Sequence, residues 1–183
     1  MNGHHLILGE LVDLITGETL ADTFDERYRQ QIAHLLVNQK GFLKTDIKPR
    51  QSILVSAGQN KARIPLDFQL QVSGTIGMII KYGPGSIVTR HRPALALSRV
   101  SVPYQIPVVV ITNGRSAEIL DGNSGKIISH GLENIPSKSR LTQIVSGINL
   151  VTISKKRFEM ESRIIYAFEV DGACPCDDTV CRL

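Results

Sequence analysis

The spacing of apolar and polar positions changes several times along the chain, and each change marks an element. In residues 5–21, HLILGELVDLITGETLA, short apolar runs flank Thr16-Gly17-Glu18, which predicts a hairpin or irregular arm. In DTFDERYRQQIAHLLVNQKG the period lengthens to that of a helix, with Tyr28, Ile32, Leu35 and Leu36 recurring on one face. Thr23 followed by Glu26 fits a capping box, and Gly41 can end the helix. Over 43–82 the pattern shortens: LKTDIK, SILVSA, ARIPLDFQLQV and TIGMIIKY alternate or run apolar, with AGQN and VSG as turns. Several antiparallel strands are expected there.

YGPGS breaks the pattern, and RPALALSRVSV resumes it as a helix with Pro93 in its first turn. IPVVVITNG reads as a buried strand, and AEILDGNSGKIISHG as a hairpin that turns over Gly122–Gly125. Ser137 caps a helix over KSRLTQIVSG, and a last helix covers SKKRFEMESRIIYAFEV. Its mixed charges predict a solvated face with neighbouring ion pairs. The order predicts an α/β domain with a central mixed sheet flanked by helices. The expected divisions are an arm at 1–21, a core at 22–150, a C-terminal helix at 151–172 and a tail at 173–183.

A chain of 183 residues suits one such domain, and with 42% hydrophobic residues and no Trp the core must rest on Ile, Leu and Val. The net charge of +4 is compatible with a polyanionic partner, although its distribution matters more than its total. No apolar run approaches the roughly 18 residues of a membrane helix, and the first residues lack the layout of a secretion signal. The three cysteines, Cys174, Cys176 and Cys181, cluster in the tail, which argues for a reducing compartment and a cytoplasmic protein.

Metal-dependent phosphodiester cleavage needs carboxylates to hold Mg²⁺ and a cation near the scissile phosphate. A strand-end Asp serves, with an acid and a Lys two residues apart on the next strand, where alternation puts them on one face. Asp67 in IPLDF and Lys81 in GMIIKYG satisfy two parts of this pattern; Ile79 stands where the second acid belongs. The bland readings are a capping role for Glu26, a strand-end acid at Asp67 and a solubilising Lys81.

These stretches resemble the N-terminal nuclease domain of the motor subunit of type I restriction enzymes, and small stand-alone proteins with the same domain. The resemblance rests on DERYRQQIAHLLV, ARIPLDF, GMIIKYGPGSIVTRHRPALALSRV and PYQIPVVVITNG. It implies a restriction endonuclease-like PD-(D/E)XK core and a bacterial setting. Glu26, Arg27 and Gln30 approximate the family's Glu and Arg-x-x-Gln pattern, and Asp67 and Lys81 fall on its catalytic Asp and Lys. Mg²⁺ or Mn²⁺ would then sit on Glu26 and Asp67. Two departures stand out: Ile79 replaces the acid of acid-x-Lys, and of the Gln-x-x-x-Tyr element Tyr104 fits while Val100 replaces Gln.

Gly83, Gly85, Arg90, His91 and Arg92 lie where a glycine loop meets a helix N-terminus, a phosphate cradle on one reading and a solvated basic loop on the other. Cys174, Cys176 and Cys181 have a spacing compatible with Zn²⁺ or an iron–sulfur centre, one ligand short of a closed site. Three functions stay open. They are a Mg²⁺-dependent endonuclease impaired by Ile79, an inactive nucleic-acid-binding or regulatory module, and a metal- or redox-responsive protein using the tail. The expected partner is nucleic acid, DNA first, with a homodimer or a restriction or repair complex as the assembly.

Overall fold

The computed structural model describes residues 6–171 and the backbone of Cys181–Arg182. A two-stranded arm, β1 (Glu10–Val12) and β2 (Thr19–Ala21), precedes helix α1 (Phe24–Asn38). Three antiparallel strands follow, β3 (Ile47–Ala57), β4 (Asn60–Val72) and β5 (Thr75–Tyr82). Helix α2 (His91–Val100) crosses to β6 (Val108–Thr112), which lies parallel to β5. Strands β7 (Ala117–Asp121) and β8 (Ile127–His130) extend the sheet antiparallel. Helices α3 (Lys138–Ser146) and α4 (Lys155–Ile165) complete the domain, and α4 runs on as a π-helix over Tyr166–Asp171. The sheet order is β3-β4-β5-β6-β7-β8, with the two-residue β9 (Cys181–Arg182) added beside β4.

The expected mixed sheet flanked by helices is what forms. One face carries a core of α1 and α3 side chains, including Ile32, Leu36 and Leu141, against Phe68, Met78 and Ile80. The other face packs Ala94 and Leu97 of α2, with Ile165, Tyr166 and Val170, against Ile64, Leu66 and Ile79. Residues 151–171, set apart as a C-terminal helix in the sequence, therefore help build this second core.

Two expectations about local structure change. The strand expected over LKTDIK begins only at Ile47, because Lys44–Asp46 form a 3₁₀ turn in which the Asp46 carboxylate accepts the Leu43 N–H at 2.8 Å. The last helix does not stay α-helical to Val170, and its switch to π geometry after Ile165 re-aims Glu169.

The feature that positions the site is a fork between β4 and β5. The two strands pair from Val72↔Thr75 to Phe68↔Ile80 and then separate. Alternation slips at the same place: Leu66 packs in one core and Phe68 in the other, so the chain passes through the sheet plane at Asp67. Opposite Asp67, Arg50 is the unpaired residue of β3, between the Pro49↔Phe68 and Gln51↔Leu66 pairs, and it has φ 48. Pro65 is tolerated in this inner strand because its backbone edge faces the gap left by β5, where no partner strand needs its missing N–H. Further along, β9 fills the vacated edge at Ala62 and Arg63.

Candidate functional site at the strand fork

Both oxygens of Asp67 are engaged: Oδ1 accepts from Arg29 Nε at 2.6 Å and Oδ2 from the Tyr82 N–H at 2.7 Å. Arg29, on α1, also lies 3.6 Å from Glu26 Oε2, so its guanidinium spans the two carboxylates. Its own charge is maintained: burial disfavours it, and Asp67, then Glu26 and Asp25, more than offset that and raise its pKa. The Tyr82 ring holds the guanidinium from below, 5.2 Å from its centroid, and stacks on Tyr28 at 5.9 Å. The Tyr82 hydroxyl donates to Asp25 at 2.9 Å; burial, and then Asp25, push its pKa upward.

On the far side of Glu26 stands Arg50, donating to Glu26 Oε1 at 2.7 Å and to Asp13 Oδ2 at 2.5 Å. Gln30 joins the same two carboxylates, at 2.9 Å to Glu26 and 2.8 Å to Asp13. The Thr23 hydroxyl does cap α1 by accepting the Glu26 N–H at 3.1 Å, while the Glu26 carboxylate turns inward to this network. Arg27, adjacent in the sequence motif, is occupied at the surface by Asp22.

Asp13, between the two strands of the arm, is a member of the site that the sequence patterns do not single out. The N–H groups of Ile15 and Thr16 donate to its Oδ1, and its carboxylate is buried. Burial raises its pKa, but the Thr16 N–H, Arg50 and Gln30 outweigh burial and hold it at about 2. Its folded pKa is thus below its unfolded one. The stabilisation it provides is complete above pH 4 and fades as pH falls from about 4 towards 2. An Asp13→Asn variant should be less stable than the parent to urea at pH 6, and that gap should narrow by pH 3. An equal gap at both values would mean the ionised carboxylate contributes nothing.

Lys81 leaves the fork the other way. Its ammonium donates to Pro65 O at 2.6 Å, on the β4 edge that β5 vacates, and stands 3.9 Å from Glu169 Oε2 of the π segment. Ile79, two residues earlier on the same strand face, is 0% exposed and packed in the second core. The structure therefore groups Glu26 and Asp67 around Arg29, and turns Lys81 towards Glu169.

The basic loop is turned inward, although among the described residues the buried Arg90 Nε finds no hydrogen-bond partner. Arg90 folds over Gly83, where any Cβ would lie 2.4 Å from its guanidinium carbon, and donates to Pro84 O. His91 contacts Glu118, and Arg92 pairs with Glu161 at 2.7 Å. Gly85 takes φ +83, a conformation glycine tolerates best. Tyr104 ties the start of β5 by accepting the Ile76 N–H at 2.8 Å, and Val100 is a core residue. Cys174 and Cys176 lie outside the described residues, as does the Cys181 side chain. The mixed-charge face of α4 departs from expectation at Glu161, which is 0% exposed and ringed by Arg92, Arg99 and Arg157.

The donor set can be tested against Mg²⁺. Among the described residues no three His, Cys, Asp or Glu side chains come together as metal ligands. Arginine already faces the Glu26 and Asp67 oxygens, and Ile79 brings no oxygen. As arranged, this set does not fit a ready-made Mg²⁺ site.

A mixed sheet with helices on both faces, and an Asp and a Lys at a strand fork beside a helical Glu, defines a domain of the restriction endonuclease-like class. The model of the type I restriction enzyme R protein N-terminal family matches residues 24–136, more than half of the sequence, and the chain belongs to that family. No curated protein and no solved structure matches it. Among the described residues no helix is long and apolar enough to cross a membrane.

Proposed function

We propose that this restriction-family domain binds DNA without cleaving it, its fork closed by arginine in place of a metal ion. The observation that carries the reading is Arg29 spanning Glu26 and Asp67. A guanidinium donating to a carboxylate in a partly buried setting is a strong, charge-assisted pair. A divalent ion would have to displace it while offered only two carboxylates. Family membership supports the DNA partner. The segment from Gly83 to Arg92 is its backbone contact in this reading, with Arg92, whose side chain is 38% exposed, supplying a cation.

A second reading, Mg²⁺- or Mn²⁺-dependent phosphodiester hydrolysis, is favoured by Glu169. Its carboxylate returns an acid to Lys81 from a different element. The full chain is assayed for binding to duplex and single-stranded DNA across salt, and for cleavage of supercoiled plasmid with Mg²⁺ or Mn²⁺. The expected result is salt-sensitive binding without cleavage, with the salt slope falling by about one unit in Arg92→Ala. Cleavage that disappears in both Lys81→Ala and Glu169→Gln would replace this reading with the second. Failure to bind DNA at low salt would remove both.

A further inference from the structure

On the sheet face opposite α1, a cavity of about 250 Å³ opens beside α2 and the start of α4, lined by Arg99, Gln105, Asn123, Thr152, Ser154 and Arg157 among others. Beneath it lies the charge cluster around Glu161. Arg99 Nη1 and Arg157 Nε both donate to Glu161 Oε1, at 2.8 and 2.6 Å, and Arg92 lies 2.7 Å from Oε2. Three cations meet one carboxylate, so the cluster carries uncompensated positive charge.

Arg99 is the informative member, because its side chain is only 8% exposed yet lines the cavity. Its Nε is taken by Gln105 at 2.8 Å. Among the described residues its Nη2 finds one long contact, 3.4 Å to Gly122 O. Burial first, and then Arg157 and Arg92, work against its charge, and Glu161 does not fully compensate, so its pKa is lowered. A second anion at Nη2 would relieve this. The backbone is built to hold Gln105 and Arg99 here: a Cβ on Gly122 would stand 1.9 Å from Ile106 O and 2.8 Å from the Gln105 amide nitrogen. Above Arg99, the Arg157 side chain is 43% exposed and reaches the rim. Asn123 and Thr152 add polar groups at the mouth.

From this arrangement we propose that the cavity binds a phosphate group, held between Arg99 and Arg157, with Asn123 and Thr152 at its rim. Arginine suits a tetrahedral oxyanion because its planar fork can give two parallel hydrogen bonds. The phosphate source is either the terminal phosphate of a nucleic acid or a free phosphate or mononucleotide. The site lies on the sheet face away from Arg29, Glu26 and Asp67, and its phosphate titration is read separately from any cleavage assay.

The test is calorimetric titration of the full chain with inorganic phosphate at fixed ionic strength, and with matched 5′-phosphorylated and 5′-hydroxyl oligonucleotides. Saturable phosphate binding is expected, weakened about tenfold or more in Arg157→Gln through loss of a charge-assisted hydrogen bond. That variant should keep a cooperative melt, because Glu161 retains Arg92 and Arg99. Asn123→Ala, on an exposed turn, should weaken binding less. A preference for the 5′-phosphorylated oligonucleotide that Arg157→Gln abolishes would identify a nucleic-acid end. Saturable phosphate binding without that preference would identify a free phosphate or mononucleotide. Phosphate heats no different from those of chloride would overturn the proposal, as would undiminished binding by both variants.

Discussion

Replacing Glu161 with alanine should destabilise the fold by about 3–5 kcal/mol, the range for breaking a buried ion pair by removing one partner. Glu161 is 0% exposed and takes charge from Arg92, Arg99 and Arg157 at once. Without it, Arg99 is left buried among like charges, and α2 and α4 lose the group that joins them. Burial pushes the Glu161 carboxyl up, but Arg92 and Arg99 reverse this and hold it below the usual range. The stabilisation is therefore present at neutral pH and lost only as pH falls through that lowered value. Arg157→Gln, at the exposed rim, should cost no more than about 1 kcal/mol. Urea unfolding at pH 7 reads both; a Glu161→Ala loss as small as that of Arg157→Gln would mean that the cluster adds little to the fold.

The second large effect concerns Ile79. Placing an acid two residues before Lys81 with Ile79→Glu should destabilise the protein by several kcal/mol, of order 3 or more, and should not produce a nuclease. The side chain is 0% exposed in an apolar core with Leu97, Val109 and Ile165, so a carboxylate there has no solvent. It would keep its proton, with a folded pKa raised above the unfolded one. The destabilisation should then grow with pH, being worse at pH 8 than at pH 5. Ile79→Val, which only trims a methylene, should cost about 0.5–1.5 kcal/mol. Unfolding of the three proteins at both pH values, beside plasmid cleavage, decides the matter. A stable Ile79→Glu protein that cuts DNA would show that the position still belongs to a working site.

Much of the fold was legible because local rules and burial agreed. The cap at Thr23, the antiparallel strands β3 to β5 and the turn at Gly122–Gly125 all lie where the sequence placed them. The failures have identifiable causes. Asp46 diverted LKTDIK into a 3₁₀ turn through a side-chain bond that competes with strand pairing. Glu161 sits in a helix rich in both charges, and nothing in its spacing separates a buried acid from a solvated one.

The sequence by itself determined the element order, the mixed sheet and the family, since these follow from periodicity, turn residues and motifs. It also supplied Glu26, Asp67 and Lys81, together with the replacement at Ile79. Only the tertiary structure decided what those side chains meet. Arg29 and Arg50 reach them from 38 and 24 residues away. Asp13 enters through the folding of the arm, and Glu169 through a π-helical shift of register. Such partnerships depend on where strand pairing is interrupted and where two strands part. Those are consequences of packing on both sheet faces at once, which no local pattern of residues encodes.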